Sequence, residues 1–216
     1  MNPFGSGAKI AGYILAGGES RRFNCAIKGL QPLNEKPMIQ HVIERFEPQV
    51  DSLTINSHFI EYTQFELATV GEKNTFKGPL SGLLHCMQHM HDYYPSAEWL
   101  AIVPCDAPFL PKDMISLLTD SNDNEHNNYR AQCFSYANEL QPTFSIWHKD
   151  LLNDLQATVV EQQWGGLKIF LKHLSEHVDD AVNVVEYAQQ TINPFFNINS
   201  EKDLSEAHKI LKKNLS

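Results

Sequence analysis

Short apolar segments of strand length alternate with amphipathic segments of helical length over the first 120 residues of this chain. The strand-like segments are Lys9 to Ala16, Ser52 to Asn56, and Trp99 to Val103. The helix-like segments are Pro37 to Phe46, Leu80 to Met90, and Lys112 to Leu118. Strands that are joined by helices pair in parallel, and the helices pack on the sheet. The predicted fold class is therefore α/β, with a mostly parallel sheet and helices on both of its faces.

The second half of the chain is less regular but is expected to complete the same domain. Its predicted elements are strands at 130–136 and 142–147, a turn near Asn138 between them, and helices at 151–163 and 166–174. Ser200 is expected to begin a last helix, with Asp203 as its capping-box partner. The polar stretch from Asp120 to Asn128 is too short for a domain linker. A chain of 216 residues thus predicts one domain, residues 1–216.

Composition excludes several classes of partner. The formal net charge of -9 disfavours broad binding to nucleic acid or to anionic membranes. No apolar run approaches the roughly 20 residues needed to cross a bilayer, and the first residues show no signal-peptide pattern. The 4 cysteines form no CxxC pair, so they are expected to be reduced thiols of a cytoplasmic protein.

The first predicted strand ends at two glycines that are followed by basic residues. Gly17 and Gly18 allow a tight turn that exposes backbone N–H groups to a ligand, and such consecutive N–H groups bind anions. Arg22 and Lys28 would add charge-assisted hydrogen bonds to phosphate oxygens. The spacing matches neither the P-loop nor the GxGxxG motif. Glycine spacing alone fits a plain turn with a solvated basic loop equally well.

A carboxylate stands directly after the third predicted strand, in "AIVPCDAPFLP". The carboxyl ends of parallel strands share one edge of a sheet, so Asp106 is expected beside the Gly17-Gly18 turn. One or two carboxylates together with phosphate oxygens form a typical Mg²⁺ site. The competing interpretation is that Asp106 caps the next helix, although Pro108 and Pro111 delay that helix.

Four motifs follow one another along the chain: "ILAGGESRRF" with a later lysine, "GPLSG", "PCDAPFLP" and "FFNINSEKDL". Each one alone is shared with wider nucleotidyltransferases. The combination, from about Gly12 to Leu204, resembles the molybdenum cofactor guanylyltransferase family. The resemblance implies a Rossmann-like single domain of the nucleotide-diphospho-sugar-transferase type. It also implies transfer of GMP from GTP to the phosphate of molybdopterin, with Mg²⁺ as cofactor and release of pyrophosphate.

The resemblance also implies roles for individual residues and for partners. Arg22, Lys28 and Asp106 would be catalytic, and Asp106 would hold the metal. The implied nucleotide-binding residues are Leu15, Ala16, Gly17, Gly18, Lys28, Asn56, Glu72, Pro79, Leu80 and Asp106. The implied acceptor-binding residues are Pro142, Thr143, Asn197 and Asn199. The implied partners are GTP, molybdopterin or Mo-molybdopterin, and molybdoenzymes or their chaperones, with neither nucleic acid nor a membrane among them.

This sequence departs from the family pattern at two places. A glycine and an aspartate that usually follow the arginine are replaced by Asn24 and Ile27. The carboxylate that reads guanine aligns with Gly71, so the adjacent Glu72 is expected to take that role. Two alternatives therefore stay open. The chain could transfer CMP or use another phosphorylated acceptor, or it could be a degenerate paralogue that binds nucleotide or pterin without turnover.

Three neighbouring features have simpler structural interpretations. Cys105, beside Asp106, is expected to be a small buried packing residue rather than a nucleophile. The pair Gly165-Gly166 follows a predicted helix and is expected to cap its C-terminus. His89 and His91 are expected on the exposed side of the second helix.

Overall fold

A seven-stranded mixed sheet forms the centre of the computed structural model, which describes residues 9–18, 27–71, 78–120 and 129–213. The strands are β1 (Lys9–Leu15), β2 (Pro32–Leu33), β3 (Lys36–Pro37), β4 (Ser52–Asn56), β5 (Ala68–Val70), β6 (Ala97–Pro104), β7 (Ala131–Tyr136), β8 (Glu139–His148) and β9 (Val182–Glu186). The central sheet has the order β5-β4-β1-β6-β8-β7-β9, and β2 pairs with β3 in a separate hairpin.

Helices cover both faces of this sheet. They are α1 (Met38–Phe46), α2 (Pro79–Tyr93), α3 (Met114–Asp120), α4 (Leu152–Val160), α5 (Leu167–His177) and α6 (Glu201–Lys213). In β1, Ile10 and Ile14 face the core that contains residues of α1 and α3, whereas Ala11 and Tyr13 face the core built with α2, α4 and α5. This alternation is the period of two that a strand imposes, and it gives β1 two buried faces.

Parallel pairing dominates the sheet, as predicted. β1 lies parallel to β4 and β6, β5 lies parallel to β4, and β9 lies parallel to β7. Within the central sheet of the described residues, β8 runs antiparallel to both of its neighbours, β6 and β7. Its hairpin with β7 turns at Ala137 and Asn138, whose φ angles are 51° and 65°. Positive φ at both turn residues is the requirement of a tight two-residue hairpin, so the predicted turn near Asn138 is confirmed.

The strand order places a topological switch point between β1 and β6. From β1 the chain runs outward through β4 to β5, and it then crosses back to β6 on the other side of β1. The two strands end in register, Leu15 opposite Pro104. In open α/β sheets, ligands bind in the crevice beyond the carboxyl ends of the strands at such a point. We therefore expect ligand-binding residues directly after β1 and β6.

The prediction of long, strongly apolar elements is confirmed, and several short ones were missed. β1, β4, β6 and the first three helices lie within a few residues of their predicted bounds. β5, β9, the β2–β3 hairpin and the 3₁₀ helix Ile60–Phe65 were not predicted. Ser200 caps the start of α6, as predicted, because its Oγ accepts a hydrogen bond from the N–H of Asp203 at 3.2 Å.

Two local predictions are wrong. Gly166 does not end a helix but is the N-cap of α5, because α4 already ends at Val160 and Gln163 turns the chain with a φ of 57°. His89 is not on the exposed side, since its Nδ1 lies 2.8 Å from the hydroxyl of buried Tyr13.

Other expectations agree with the structure. Cys105 is buried, as predicted, and Cys86 and Cys133 are likewise buried. Cys25 lies outside the described residues. Within the described ranges, every helix is too short or too polar to cross a bilayer.

Candidate active site

The Gly17-Gly18 segment leaves the sheet where β1 ends. Before it, Ala16 is anchored on both sides, because its N–H donates to the carbonyl of Asn56 at 2.9 Å and its carbonyl accepts from the hydroxyl of Ser57. The backbone N–H of Ala16 is thus already used within the fold. Gly18 is exposed, and a β-carbon added there would meet nothing within 4 Å. The open side of this turn therefore begins at Gly17.

Lys28 and Asp106 meet at the edge of the sheet. Asp106 follows β6 directly, and the preceding Cys105 donates its N–H to the carbonyl of Leu15 at 3.1 Å, which ties the ends of β6 and β1 together. Lys28 begins a 3₁₀ helix, Lys28–Leu30, and its Nζ pairs with Oδ2 of Asp106. Both side chains are largely shielded, with exposed fractions of 17% and 12%. A cation and a carboxylate from distant parts of the chain thus face each other at the switch point.

Asn199 completes this cluster. Its Oδ1 accepts a hydrogen bond from Nζ of Lys28 at 2.7 Å. The neighbouring Ile198 donates its N–H to the carbonyl of Asp106 at 2.9 Å, and the N–H of Asn199 donates to Asp203 at 2.9 Å. The first bond holds the segment before α6 against the end of β6, and the second ties Asn199 to the first turn of α6. Asn199, which was expected on the acceptor side, therefore lies at the Lys28–Asp106 pair.

The donor set of this cluster suits Mg²⁺. Oδ2 of Asp106 and Oδ1 of Asn199 are oxygen atoms that converge on one cationic group, Nζ of Lys28. Mg²⁺ prefers oxygen ligands and usually takes only one or two from protein, leaving the others to phosphate and water. In the part of the chain that the structure describes, no group of three or more His, Cys, Asp and Glu side chains could hold a metal. The arrangement fits a metal that is shared with a phosphate ligand.

The helix-cap interpretation of Asp106 does not hold. α3 begins at Met114, well after Asp106, and the carboxylate is used by Lys28 instead. Ile27, which replaces a family aspartate, is buried in the hydrophobic core beside the Lys28 turn. An apolar side chain at this position supports the turn by packing, where an aspartate would have needed a polar partner.

Asn56 is directed away from the open edge and toward α2. Its side chain is 1% exposed, its Oδ1 lies 3.1 Å from Nδ1 of His85, and its Nδ2 donates to the carbonyl of Gly82 at 3.4 Å. The predicted nucleotide residue Asn56 thus links the end of β4 to the first turns of α2. The sequence motifs did not predict the contact between His85 and Asn56, because a histidine among the apolar residues of a helix does not indicate a hydrogen-bond partner.

The "GPL" turn at the start of α2 is held by a second glycine segment. Gly78 has a φ of 109°, and the N–H of Leu80 donates to the carbonyl of Gly165 at 3.2 Å. Leu80 itself is fully buried, whereas Pro79 is exposed. Of this predicted pair, Pro79 is the residue that faces solvent.

The predicted acceptor residues border the same edge. Pro142 and Thr143 lie in an irregular part of β8, where the pairing with β7 jumps from Ser145 to Gln141. Bulges of this kind often re-aim side chains next to active sites. Asn197 has a buried Oδ1 that accepts no hydrogen bond from any residue that the structure describes. A buried acceptor that lacks a donor is costly, and a ligand could supply that donor.

Two predicted residues, Arg22 and Glu72, lie outside the described residues.

The sequence analysis did not predict one further residue near the Lys28–Asp106 pair. Tyr62, on the unpredicted 3₁₀ helix Ile60–Phe65, reaches the backbone beside Lys28 and the thiol beside Asp106. Its segment has no helical or strand periodicity that would have predicted this position.

Comparison with known proteins agrees with this geometry. Residues 12–182 match the family described as the MobA-like NTP transferase domain. The molybdenum cofactor guanylyltransferase of Brucella ovis is 35% identical over 214 residues, which cover 95% of this chain and 94% of the relative. The chain belongs to the MobA-like NTP transferase family. As a MobA-like NTP transferase, it is a nucleotidyltransferase, as the sequence motifs predicted.

Solved structures show the same fold. A molybdopterin-guanine dinucleotide biosynthesis protein A from Archaeoglobus fulgidus has a TM-score of 0.71 at 19% identity and covers 94% of this chain and 99% of its own. A CMP:2-keto-3-deoxy-manno-octonic acid synthetase complexed with CTP has a TM-score of 0.69 at 15% identity, covering 97% of this chain and 100% of its own. The predicted Rossmann-like fold is thereby confirmed for this MobA-like NTP transferase.

Proposed function

We propose that this protein transfers GMP from GTP to the phosphate of molybdopterin, forming molybdopterin guanine dinucleotide and releasing pyrophosphate. The observation that carries the proposal is the cluster of Lys28, Asp106 and Asn199 at the switch point of the sheet. It combines a cation for phosphate with oxygen ligands for a metal. The choice of guanine and of the pterin acceptor is supported by the name of the Brucella ovis relative, which matches along nearly the whole chain.

The reaction is a direct in-line displacement. A phosphate oxygen of the acceptor forms a bond to the α-phosphorus of GTP, and the bond from that phosphorus to the bridging oxygen of pyrophosphate breaks. Lys28 would stabilise the charge that builds on the departing pyrophosphate. Asp106 and Asn199 would hold Mg²⁺, which when bound neutralises charge on the phosphates. Arg22 would assist at the phosphates, on the basis of its motif alone.

Base and acceptor are assigned to separate surfaces. Glu72 is proposed to accept hydrogen bonds from guanine, on the basis of its place in the sequence before the "GPL" motif. A site with such an acceptor rejects bases that lack the donors. The acceptor is proposed to bind near Thr143 and Asn197, where the buried Oδ1 of Asn197 needs a donor. The cytoplasm is the proposed location, supported by the free buried thiols.

The test is pyrophosphate release by the purified protein with Mg²⁺, molybdopterin and GTP, with ATP and CTP in parallel. We expect kcat/KM for GTP to exceed the other values by at least about tenfold, or roughly 1.4 kcal/mol. Mass spectrometry should detect the guanine dinucleotide. A preference for CTP would overturn the guanylyl assignment, and tight pterin binding without any pyrophosphate release would establish a degenerate binding protein instead.

A further inference from the structure

A buried tyrosine connects the two segments that present the proposed catalytic pair. Tyr62 is 1% exposed. Its hydroxyl packs against the backbone of Gly29, and its ring lies in the same buried cluster as Cys105. Gly29 follows Lys28 in the sequence, and Cys105 precedes Asp106. A single phenol thus joins the backbone next to the cation to the residue next to the carboxylate.

The contact at Gly29 leaves no space for a side chain. A β-carbon added at Gly29 would stand 2.5 Å from the hydroxyl oxygen of Tyr62. Glycine at this position is what allows the phenol to reach the backbone. Tyr62 lies on the 3₁₀ helix Ile60–Phe65, which follows β4 in the sequence, so the link spans three separate parts of the chain.

The link carries no charge. Burial raises the pKa of the Tyr62 phenol above its ordinary value of 10.0 and raises the pKa of the Cys105 thiol to about 12. Both groups therefore remain protonated at neutral pH, and neither is suited to exchange protons with a substrate. What the hydroxyl supplies is a fixed separation between two backbone segments.

We propose that Tyr62 is a positioning residue for nucleotidyl transfer, whose hydroxyl keeps the Lys28 turn and the end of β6 at the separation that the reaction needs. This inference rests on the proposed function. The direct contact between Lys28 and Asp106 cannot serve this purpose during turnover, because phosphates and metal then compete for both side chains. The Tyr62 link does not involve those groups and persists. Displacement of a catalytic group by about 1 Å can cost a hundredfold in rate.

The decisive variant is Tyr62→Phe, which removes one oxygen atom and keeps the ring. Tyr13→Phe is the matched control, since Tyr13 is also fully buried and its hydroxyl is bonded to His89, on the opposite face of the sheet. We expect both variants to lose a similar, small amount of stability. Only Tyr62→Phe should lower kcat for pyrophosphate release, by about tenfold, with less than a threefold change in KM for GTP.

Amide exchange in the unliganded protein gives a second readout that does not depend on activity. The N–H of Gly29 should exchange faster in Tyr62→Phe and at the normal rate in Tyr13→Phe, because only the former loses the hydroxyl that packs against this backbone. Unchanged exchange at Gly29, or an equal fall in kcat for both variants, would overturn the inference. Failure of the wild-type protein to use GTP would overturn the proposed function instead, and the exchange comparison would still decide whether Tyr62 holds the Lys28 turn.

A double variant separates positioning from general support of the fold. In a Lys28→Ala background, Tyr62→Phe should lower kcat by less than about twofold further, because the group that it positions is gone. A full tenfold loss in that background would show that Tyr62 acts on the site by some route other than Lys28.

Discussion

Asp106 has two kinds of bond, one from its side chain to Lys28 and one from its backbone carbonyl to the N–H of Ile198. The substitution Asp106→Asn keeps the shape and the backbone bond but removes the charge that a metal needs. We expect kcat to fall at least a hundredfold. The midpoint of thermal unfolding without nucleotide should change by less than about 3 °C, since the carbonyl oxygen of asparagine can still accept a hydrogen bond from Nζ of Lys28.

A suitable control for this variant is Glu44→Gln. Glu44 also pairs with a lysine, Lys36, but on an exposed surface of α1. Turnover in Glu44→Gln should equal that of the wild type, as measured by pyrophosphate release. If Asp106→Asn instead lost much stability and kept normal turnover per folded molecule, Asp106 would be a structural residue.

The residues of the candidate site differ in how far the sequence could predict them. Lys28 and Asp106 stand in motifs beside strand ends, and the structure has them in contact. Asn199 was assigned to the acceptor, because linear sequence does not tell which edge a late loop returns to. Tyr62 and His85 make isolated polar contacts from otherwise apolar surroundings, and such contacts leave no periodic pattern in the sequence. Arg22 and Glu72 stay predictions.

At the scale of elements, the start of α2 depends on one glycine. Gly78 combines a φ of 109° with a β-carbon position only 2.7 Å from the carbonyl oxygen of Gly165. Gly78→Ala should therefore lower the free energy of unfolding by roughly 1–3 kcal/mol. Since this turn carries Pro79 and Leu80, which are proposed to bind the nucleotide, KM for GTP should rise as well. Urea unfolding and steady-state kinetics measure the two effects.

Gly18→Ala is the matched control for the stability effect, because a β-carbon at Gly18 meets nothing within 4 Å. Its free energy of unfolding should lie within about 0.5 kcal/mol of the wild-type value. Equal stability of the two alanine variants would show that the Gly165 contact does not constrain α2.

The elements that the sequence predicted share a physical property. β1, β4 and β6 are buried on both faces or nearly so, and burial demands continuous apolar runs that are easy to recognise. β9 lies at an edge of the sheet with an alternation of half-buried and exposed residues, and β5 has three residues only. Such short edge strands are specified mainly by their neighbours, so their pairing is not visible in local sequence.

The stability of the whole molecule should fall in mild acid. Burial lowers the pKa of His89 and of His148 below the ordinary value of 6.5. In the unfolded chain both histidines take up protons as the pH falls through about 6.5, whereas in the folded protein they resist protonation. The unfolded state then binds more protons, so the free energy of unfolding should decrease between pH 7 and pH 5.5.

Urea unfolding at several pH values measures this dependence. The double variant His89→Gln, His148→Gln should show a flatter curve across that range, because glutamine does not titrate. His91→Gln is the control, since His91 is exposed and pairs only with its neighbour Asp92. An unchanged slope in the double variant would assign the acid sensitivity to other groups.

The interruption of the parallel sheet by β8 has a consequence for biosynthesis. β1, β4, β5 and β6 can pair once residue 104 has left the ribosome, but β8, which covers the other side of β6, ends at residue 148. At about 5–20 residues per second, β6 waits roughly 2–9 s for its neighbour. During that time the nascent chain presents an unpaired strand edge from Trp99 to Val103, all fully buried in the finished protein. Neighbouring chains on the same messenger RNA could pair with that edge. Pairing with β8 ends this exposure. The antiparallel strand that interrupts the parallel sheet therefore also ends the period in which the unpaired edge of β6 makes the nascent chain prone to aggregate.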